Sequence, residues 1–323
     1  MNDINTTLDN LRIGTQTTHA GLTTFALSGL NSSPVDYLTL NEALEARYVS
    51  IEEVSGSGSV PELLFRNSGD KPVLLLDGEE LVGAKQNRVL NLTILAPANA
   101  GIVIPVSCVE SGRWSYSRPD FMSSKRAHFS EGRARKVAQV SQSMDSARSY
   151  ASNQSDVWNA ISKKSSRMSV RSATSAMSDI FEQHDVDIES YVDAFGTGKD
   201  QAGAIFAIGG KIAGCEVFDN HDTFRKLYPK LIRSYALDAI EQRNTKESVS
   251  VGTAKAFLKE LSGAEKKAFD AIGMGSDVRM RGEYLTGAAL TVDDALIHLC
   301  AFRLEQEPDR RVRPSRIYRR DRH

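Results

Sequence analysis

The first third of the chain alternates between apolar stretches of strand length and short polar turns. Four such stretches follow one another closely, at Pro61–Arg66, Pro72–Asp77, Asn87–Ala96 and Ile102–Val109. Short apolar runs separated by turn residues at this spacing are typical of antiparallel sheets. A short helix is predicted before them, at Leu40–Arg47. The pattern therefore predicts a β-rich N-terminal part.

The middle of the chain has a helical pattern. From Glu131 to Phe195 the apolar residues recur every three or four positions, as they do at Val137, Val140 and Met144. The same stretch is rich in serine, and a disordered linker is the alternative interpretation. The regular apolar spacing favours helices.

Two glycines mark a β-hairpin in the last third of the chain. Gly209-Gly210 separates the apolar runs Ala202–Ile208 and Lys211–Phe218, and Gly-Gly supplies the positive φ that a two-residue turn requires. The segment GAALTVDDALIHLCAF, which starts at Gly287, aligns without gaps with GAIFAIGGKIAGCEVF, which starts at Gly203. Shared hairpin geometry explains this echo as well as duplication does.

Helices and strands are both predicted after this hairpin. We expect helices at His221–Gln242, Ser250–Leu261 and Ala264–Ile272, and strands at Asp277–Glu283, Gly287–Val292 and Ala295–Phe302. The whole pattern predicts an α+β fold, with an antiparallel β-rich N-terminal half packed with a helical midsection and a C-terminal α+β unit. The corresponding parts are 1–114, 115–200 and 201–305, followed by an Arg-rich tail, 306–323, that we expect to be disordered.

The charge distribution is uneven although the formal net charge is only −1. Between Ser111 and Ser178, twelve Lys and Arg residues face four Asp and Glu residues, an excess of eight. Between Glu307 and His323, seven Arg residues face three acids. The rest of the chain is therefore acidic. This balance excludes a uniformly basic nucleic-acid binder and leaves a basic midsection to explain.

Cysteine usage and hydropathy indicate a cytoplasmic setting. Three cysteines, Cys108, Cys215 and Cys300, are too few for a disulfide framework, and their odd number leaves at least one thiol free. The first residues lack the features of a signal peptide. No apolar run is long enough to span a membrane, so we expect no membrane partner.

The densest polar stretch is Asp77–Arg88, DGEELVGAKQNR, which we expect to be a connection between strands. Glu79 and Glu80 are candidate catalytic carboxylates, since a carboxylate near a cation can serve as a base or a metal ligand. The candidate ligand-binding residues that follow are Lys85, Gln86, Asn87 and Arg88. A solvated, salt-bridged turn is the alternative interpretation.

A second polar stretch ends the following strand. Glu110 is a third candidate catalytic carboxylate, and Arg113 and Trp114 are candidate ligand-binding residues. Cations interleaved with aromatics, as in this region, are suited to phosphate pairing and base stacking. An extended segment anchored by its aromatics is the alternative. Cys108 is predicted to be a packed thiol, because a nearby carboxylate raises a thiol pKa rather than lowering it.

A third polar stretch follows the Gly-Gly hairpin. Glu216 and Asp219 are candidate ligand-binding residues, and Asp219 or Asn220 is expected to cap the next helix. His298, between Leu and Cys neighbours, is expected to be a satisfied core residue. The cysteines are too isolated for structural zinc. The sequence therefore specifies no metal, and a divalent cation held by the carboxylates is one alternative.

Three segments together resemble a known family. They are LLLDGEELVGAKQNRVLNLTIL, IPVSCVESGRW, and AGAIFAIGGKIAGCEVFD with LYPKLIRSYALDA behind it. They resemble the domain family named for its association with ADP-ribosylglycohydrolases and rhodanese-phosphatases (ARPP), over roughly Gly14 to Phe302. The resemblance implies a context of NAD or ADP-ribose metabolism, and it implies no catalytic residues.

These residues lead to the hypothesis of one polar pocket that binds or processes an ADP-ribose-like or nucleotide-like ligand. Arg113, Lys85 and Arg88 would hold a pyrophosphate, and Trp114 would stack on a base. Hydrolysis would need a carboxylate with a raised pKa or a metal-activated water. The alternative is a non-catalytic sensor or scaffold that binds a partner protein or single-stranded nucleic acid.

Overall fold

The computed structural model describes residues 2–30, 33–55, 61–116, 118, 120–245 and 247–304. These residues form eight helices: α1 (Asn2–Asn10), α2 (Leu40–Glu45), α3 (Ser130–Ala147), α4 (Gln154–Arg167), α5 (Met177–Gln183), α6 (Asp185–Ala194), α7 (His221–Ile240) and α8 (Val251–Gly263). The predicted tail, 306–323, lies outside the described residues. No helix in the described ranges combines the length and the apolar character needed to cross a membrane.

The same residues form seventeen strands. They are β1 (Arg12–His19), β2 (Leu22–Ser28), β3 (Leu38–Thr39), β4 (Val49–Glu53), β5 (Glu62–Asn67), β6 (Val73–Leu75), β7 (Glu79–Gly83), β8 (Arg88–Leu90), β9 (Ile94–Ala96), β10 (Ala100–Cys108), β11 (Phe121–Ala127), β12 (Gly203–Ile208), β13 (Lys211–Phe218), β14 (Glu265–Asp270), β15 (Ser276–Arg281), β16 (Leu285–Val292) and β17 (Ala295–Arg303).

Three sheets organise these strands. An eight-stranded antiparallel sheet has the order β1-β2-β12-β13-β17-β16-β15-β14, and a six-stranded antiparallel sheet has the order β11-β7-β8-β10-β5-β4. The small sheet β3-β6-β9 contains one parallel pair, β3 with β6. The predicted α+β class is confirmed, with a β-rich N-terminal half, helices in the middle and an α+β C-terminal part.

Both predicted hairpins are present in the large sheet. The turn at Gly209-Gly210 has φ values of 54° and 78°, and the turn at Asp293-Asp294 has φ values of 48° and 64°. Positive φ at both central positions is the requirement of the favoured two-residue hairpin turn. The second strands of the two hairpins, β13 and β17, pair with each other, which places Glu216 opposite Cys300.

Three element predictions are wrong in detail. Glu79–Gly83, expected in a connection, is strand β7 between β8 and β11. Asn87–Ala96, expected as one strand, turns at residues 91–93 and divides into β8 and β9 of different sheets. Ala264–Ile272, expected as a helix, contains edge strand β14. In each case backbone pairing with another strand outweighs the local pattern: β7 pairs with β8 and β11, β9 with β6, and β14 with β15.

Helix α3 carries a glycine where a methyl group has no room. A Cβ on Gly132 would lie 1.7 Å from Cε1 of His128, which is buried and stacks on Phe129. We expect Gly132→Ala to lower the free energy of unfolding by about 1–3 kcal/mol through overpacking, despite the better helix propensity of alanine. Urea denaturation measures this change. In Gly263→Ala, where a Cβ meets nothing within 4 Å, no such loss is expected.

Candidate functional site

The interior is crossed by a chain of buried ion pairs centred on Arg133 of α3. Its Nη1 lies 2.6 Å from Oε1 of Glu216, and its Nε lies 3.1 Å from Oδ2 of Asp77. Lys136, one turn further along α3, places Nζ 2.6 Å from Oδ1 of Asp77. Residues three apart lie on the same face of a helix. Helix α3 therefore supplies both cations to two carboxylates on different strands and loops.

Glu216 accepts further hydrogen bonds inside the core. Its carboxylate contacts His298 Nε2 at 3.0 Å and accepts a hydrogen bond from the Tyr235 hydroxyl at 3.3 Å. The other nitrogen of His298, Nδ1, lies 2.8 Å from Thr93 Oγ1. His298 is thus a hydrogen-bonded core residue, as the sequence predicts. Burial raises the pKa of the neighbouring Tyr235 hydroxyl, which keeps this group neutral.

Asp77 shows how cations hold a buried carboxylate in its charged form. Burial by itself raises the pKa of Asp77, but the charges of Lys136 and Arg133 outweigh this effect and bring the pKa below its usual value. Asp77 and Glu216 are consequently committed to internal partners. This explains their position in the core without requiring a ligand.

The structure brings together the two polar stretches that flank β8 and β10. These strands pair antiparallel, with Arg88 opposite Cys108. As a result, the backbone N–H of Asn87 donates to Glu110 Oε2 at 3.1 Å, and Gln86 Nε2 donates to the carbonyl of Glu110 at 2.9 Å. The amide pair Gln86-Asn87 and Glu110 therefore share one end of the six-stranded sheet.

Arg113 closes this end of the sheet. Its Nη2 lies 2.7 Å from Glu110 Oε2 and 3.1 Å from Asn87 Oδ1, and its Nη1 donates to the carbonyls of Ala84 and Ser115. Burial raises the pKa of Glu110, but the hydrogen bonds from Arg113, Asn87 and Thr174 lower it overall. Glu110 is therefore held in its ionised form.

Arg88 lies beneath this end of the sheet with part of its guanidinium unsatisfied. Its Nη1 donates to the Gln86 carbonyl at 3.2 Å and to Gln86 Oε1 at 3.1 Å. Its Nε and Nη2 make no hydrogen bond, and a carboxylate oxygen of Glu53 lies 3.9 Å from Nη2. Burial lowers the pKa of Arg88. The buried positive charge is thus incompletely compensated.

Two exposed aromatic side chains cover this charge. The side chains of Trp114 and Tyr116 are 49% and 53% exposed. The Nζ of Lys85 lies 5.2 Å from the Trp114 ring centroid and 5.3 Å from that of Tyr116, and the guanidinium carbon of Arg88 lies 5.8 Å from the Trp114 ring. We call these four residues, Lys85, Arg88, Trp114 and Tyr116, the aromatic corner.

Glu79 and Glu80 have cationic partners of their own. They point to opposite sides of β7, as neighbours on a strand do. Glu79 is ion-paired with Lys230 of α7 and accepts a hydrogen bond from Ser123 at 2.6 Å. Glu80 lies 2.9 Å from Arg126, and burial raises the pKa of Glu80 despite that partner.

Asp219 lies at a different place, beside a cavity of about 330 Å³. It precedes α7, whose N-cap is Asn220, with Oδ1 accepting from the Thr223 N–H at 2.8 Å. The expectation that one of these two residues caps the helix is therefore confirmed.

Cys108 is a buried thiol whose pKa is raised by burial. Among the described residues, no group of three or more His, Cys, Asp or Glu side chains could hold a metal ion.

The sequence interpretation missed the two buried cations of α3, Arg133 and Lys136. Arg126 belongs to the stretch of interleaved cations and aromatics, but its pairing with Glu80 was not predicted. The Arg133–Lys136 spacing of three in the run EGRARK was the available signal, because it places two cations on one helix face. Lys230 and its partner Glu79 are 151 positions apart, and no local signal in the sequence predicts that they pair.

Fold and site together define an α+β protein with internal ion-pair chains and an exposed aromatic corner above a buried guanidinium. A family model, the ARG and Rhodanese-Phosphatase-superfamily-associated Protein domain (ARPP-1), matches residues 10–302. The chain belongs to this family, which confirms the resemblance seen in its motifs. Comparison with curated proteins and with solved structures gave no match. The family name links the domain to ADP-ribosylglycohydrolases and rhodanese-phosphatases.

Proposed function

We propose that the aromatic corner binds a nucleotide-like ligand of the ADP-ribose type. In this proposal Trp114 stacks on the base, and the positive charges of Lys85 and Arg88 attract the phosphates. The single observation that carries it is the juxtaposition of two exposed aromatic rings with a buried guanidinium that has two nitrogens without a hydrogen-bond partner. The family name supplies the class of ligand.

The aromatic pair supports base stacking. Exposed Trp and Tyr side chains offer flat faces, and stacking of a base on an aromatic ring contributes about 1–3 kcal/mol. Trp114 and Tyr116 lie at similar distances from the same ammonium group of Lys85. A base on these rings therefore places the attached phosphates close to positive charge.

Arg88 supports the phosphate part of the proposal. Its burial disfavours the charged form, so a nearby anion would stabilise the guanidinium. Electrostatic attraction is stronger at the edge of a protein interior than in bulk water, because the dielectric constant is lower there. Arg113, by contrast, already donates hydrogen bonds to Glu110 and to the surrounding loop. We therefore assign it the role of positioning that loop.

Recognition is favoured over turnover at this corner. Each proposed catalytic carboxylate has a cation beside it: Lys230 for Glu79, Arg126 for Glu80 and Arg113 for Glu110. Arg113 stabilises the ionised form of Glu110 and lowers its pKa, which makes Glu110 a weak base. Burial raises the pKa of Glu80, but Glu79 and Glu80 have ion-pair partners, Lys230 and Arg126, that are not residues of the aromatic corner. The proposal therefore assigns a binding role to the corner and no catalytic role to these three residues.

Trp114→Ala is expected to weaken ADP-ribose binding about tenfold or more. Loss of stacking removes about 1–3 kcal/mol, and 1.4 kcal/mol corresponds to a factor of ten in affinity. Calorimetric titration of the full chain measures the change, with ADP, ribose 5-phosphate and adenosine as parallel ligands. ADP-ribose and ADP should bind more tightly than adenosine, because adenosine has no phosphate.

Tyr48→Ala is the matched control, since Tyr48 is an exposed aromatic residue outside the corner. It should leave ADP-ribose affinity unchanged. Equal effects of the two substitutions, or no binding of any of the four ligands, would contradict the proposal. Tight, steeply salt-dependent binding of a single-stranded oligonucleotide without ADP-ribose binding would favour the nucleic-acid alternative instead. Products released in the titrated mixtures would support the enzymatic alternative.

A further inference from the structure

A second candidate site lies at the cavity beside Asp219. The cavity has a volume of about 330 Å³, within the roughly 300–1,000 Å³ range of small-molecule sites. Its polar lining comes from α1, from the loop before α7 and from the turn between β16 and β17, and consists of Thr6, Thr7, Asn10, Asp219, Asp293 and Asp294. This region is separate from the aromatic corner in sequence and in sheet.

The lining is acidic. It includes three carboxylates and, among the described residues, no Lys, Arg or His side chain. Arg12 is the nearby cation, since a Cβ on the lining residue Gly29 would be 3.2 Å from the Arg12 Nε, but Arg12 is not itself among the lining residues. Asp293 and Asp294 are accounted for by the hairpin turn, whose positive φ values aspartate tolerates well. The acidity of Asp219 has no such local explanation.

Asp219 is a buried carboxylate with one uncommitted oxygen. Asp219 is 1% exposed. Oδ1 accepts hydrogen bonds from the Tyr37 hydroxyl at 2.5 Å and from Asn220 Nδ2 at 2.9 Å. Oδ2 is buried and has no hydrogen-bond partner. A buried polar atom without a partner is unfavourable, so a donor that reaches Oδ2 from the cavity would stabilise this arrangement.

We propose that this cavity binds a small organic cation, an amine or a guanidinium, through Asp219. An N–H of the cation donates to Oδ2 of Asp219, and Asp293 and Asp294 add negative charge at the hairpin end of the cavity. A neutral polyol would satisfy Oδ2 without using the net charge of the lining. A charged donor uses both, and hydrogen bonds between charged groups are the stronger kind.

The binding of such a cation should depend on pH. Burial raises the pKa of Asp219 to about 6, although Tyr37 and Asn220 lower it in part. The cation binds the ionised carboxylate, so affinity should fall about tenfold per pH unit below that pKa and level off above it. The other groups that face Asp219 are the Tyr37 hydroxyl, whose pKa is raised, and the carboxylates of Asp293 and Asp294.

Calorimetric titration of the full chain with putrescine and with methylguanidine tests the proposal. Both should bind at pH 8 and more weakly at pH 5. Asp219→Asn keeps the size of the side chain and an acceptor for Tyr37, and it should weaken binding about tenfold or more, since a charged hydrogen-bond partner is lost. Asp70→Asn, an exposed acid in the connection between β5 and β6, should leave binding unchanged.

A second variant covers the case in which Asp219→Asn fails to fold. Thr7→Phe keeps Asp219 and fills the cavity from α1, so it should also abolish binding. Equal affinity in wild type and both variants, absence of binding at pH 8, or preferential binding of ribose would overturn the proposal. Trp114→Ala should leave putrescine binding intact, which separates this site from the function proposed for the aromatic corner.

Discussion

Replacement of Arg133 with methionine is expected to lower the free energy of unfolding by about 3–5 kcal/mol. The Arg133 side chain is fully buried between Asp77 and Glu216, which lie on different elements of the fold. Removal of one partner of a buried ion pair leaves the other charge uncompensated in a medium of low dielectric constant. Glu216 would retain only His298 and Tyr235, and Asp77 only Lys136. Urea denaturation followed by circular dichroism measures the change.

Arg135→Met is the matched control for this experiment. Arg135 lies two residues away on α3, is exposed and pairs with Glu131 at 2.9 Å. An exposed pair of this kind contributes roughly 0–1 kcal/mol. If both substitutions lower the free energy of unfolding equally, the buried ion pairs of Arg133 do not account for the loss of stability. Addition of Glu216→Gln to Arg133→Met should restore part of the loss, because it removes one uncompensated charge.

The sequence predicts much of the fold because many of its signals are local. Gly209-Gly210 and the echo at Gly287 identify two hairpins, since turn geometry depends on a few neighbouring residues. The three-to-four spacing from Glu131 to Phe195 identifies the helical middle in the same way. These local signals do not depend on which other elements each hairpin or helix packs against. The α+β class follows from them.

Structural features that depend on contacts between residues far apart in the chain cannot be predicted from the local sequence pattern. Glu79 and Glu80 look like a polar turn, yet they belong to a buried strand because Lys230 and Arg126 neutralise them. Lys230 is 151 positions away in the chain. No local pattern predicts a contact over this separation. Residues 265–270 are a different case, because they form an edge strand by pairing with the next strand, β15.

The residues of the candidate site show the same difference between local and distant contacts. Gln86, Asn87 and Arg88 were expected to meet Glu110 and Arg113, because each group adjoins one of two neighbouring strands, and the structure places them together. Glu216 and Asp219 were predicted as further ligand-binding residues. The structure instead pairs Glu216 with Arg133 and places Asp219 beside a cavity formed with α1. Helix packing, which the sequence pattern does not specify, decides both positions.

Lys230→Met is expected to destabilise the protein by about 3–5 kcal/mol, for a reason that bears on function. Lys230 of α7 and Glu79 of β7 are both buried, and their ion pair joins the helix to the six-stranded sheet. Without Lys230, the Glu79 carboxylate keeps Ser123 and the Leu76 N–H as its neutral partners. Thermal and urea denaturation measure the loss. Lys226→Met, on the same helix but at a half-buried pair with Glu42, should change stability by no more than about 1 kcal/mol.

The double variant Lys230→Met with Glu79→Gln decides between a structural and a catalytic Glu79. If the pair is structural, the neutral amide should recover part of the stability, and ADP-ribose affinity should match that of the wild type once the protein is folded. The coupling energy from the two single variants and the double variant isolates the ion pair. A stable Glu79→Gln protein that has lost turnover of ADP-ribose, in a wild type that performs it, would instead place Glu79 in the reaction. A positive coupling with unchanged binding is the result that the geometry of Glu79, Ser123 and Lys230 leads us to expect.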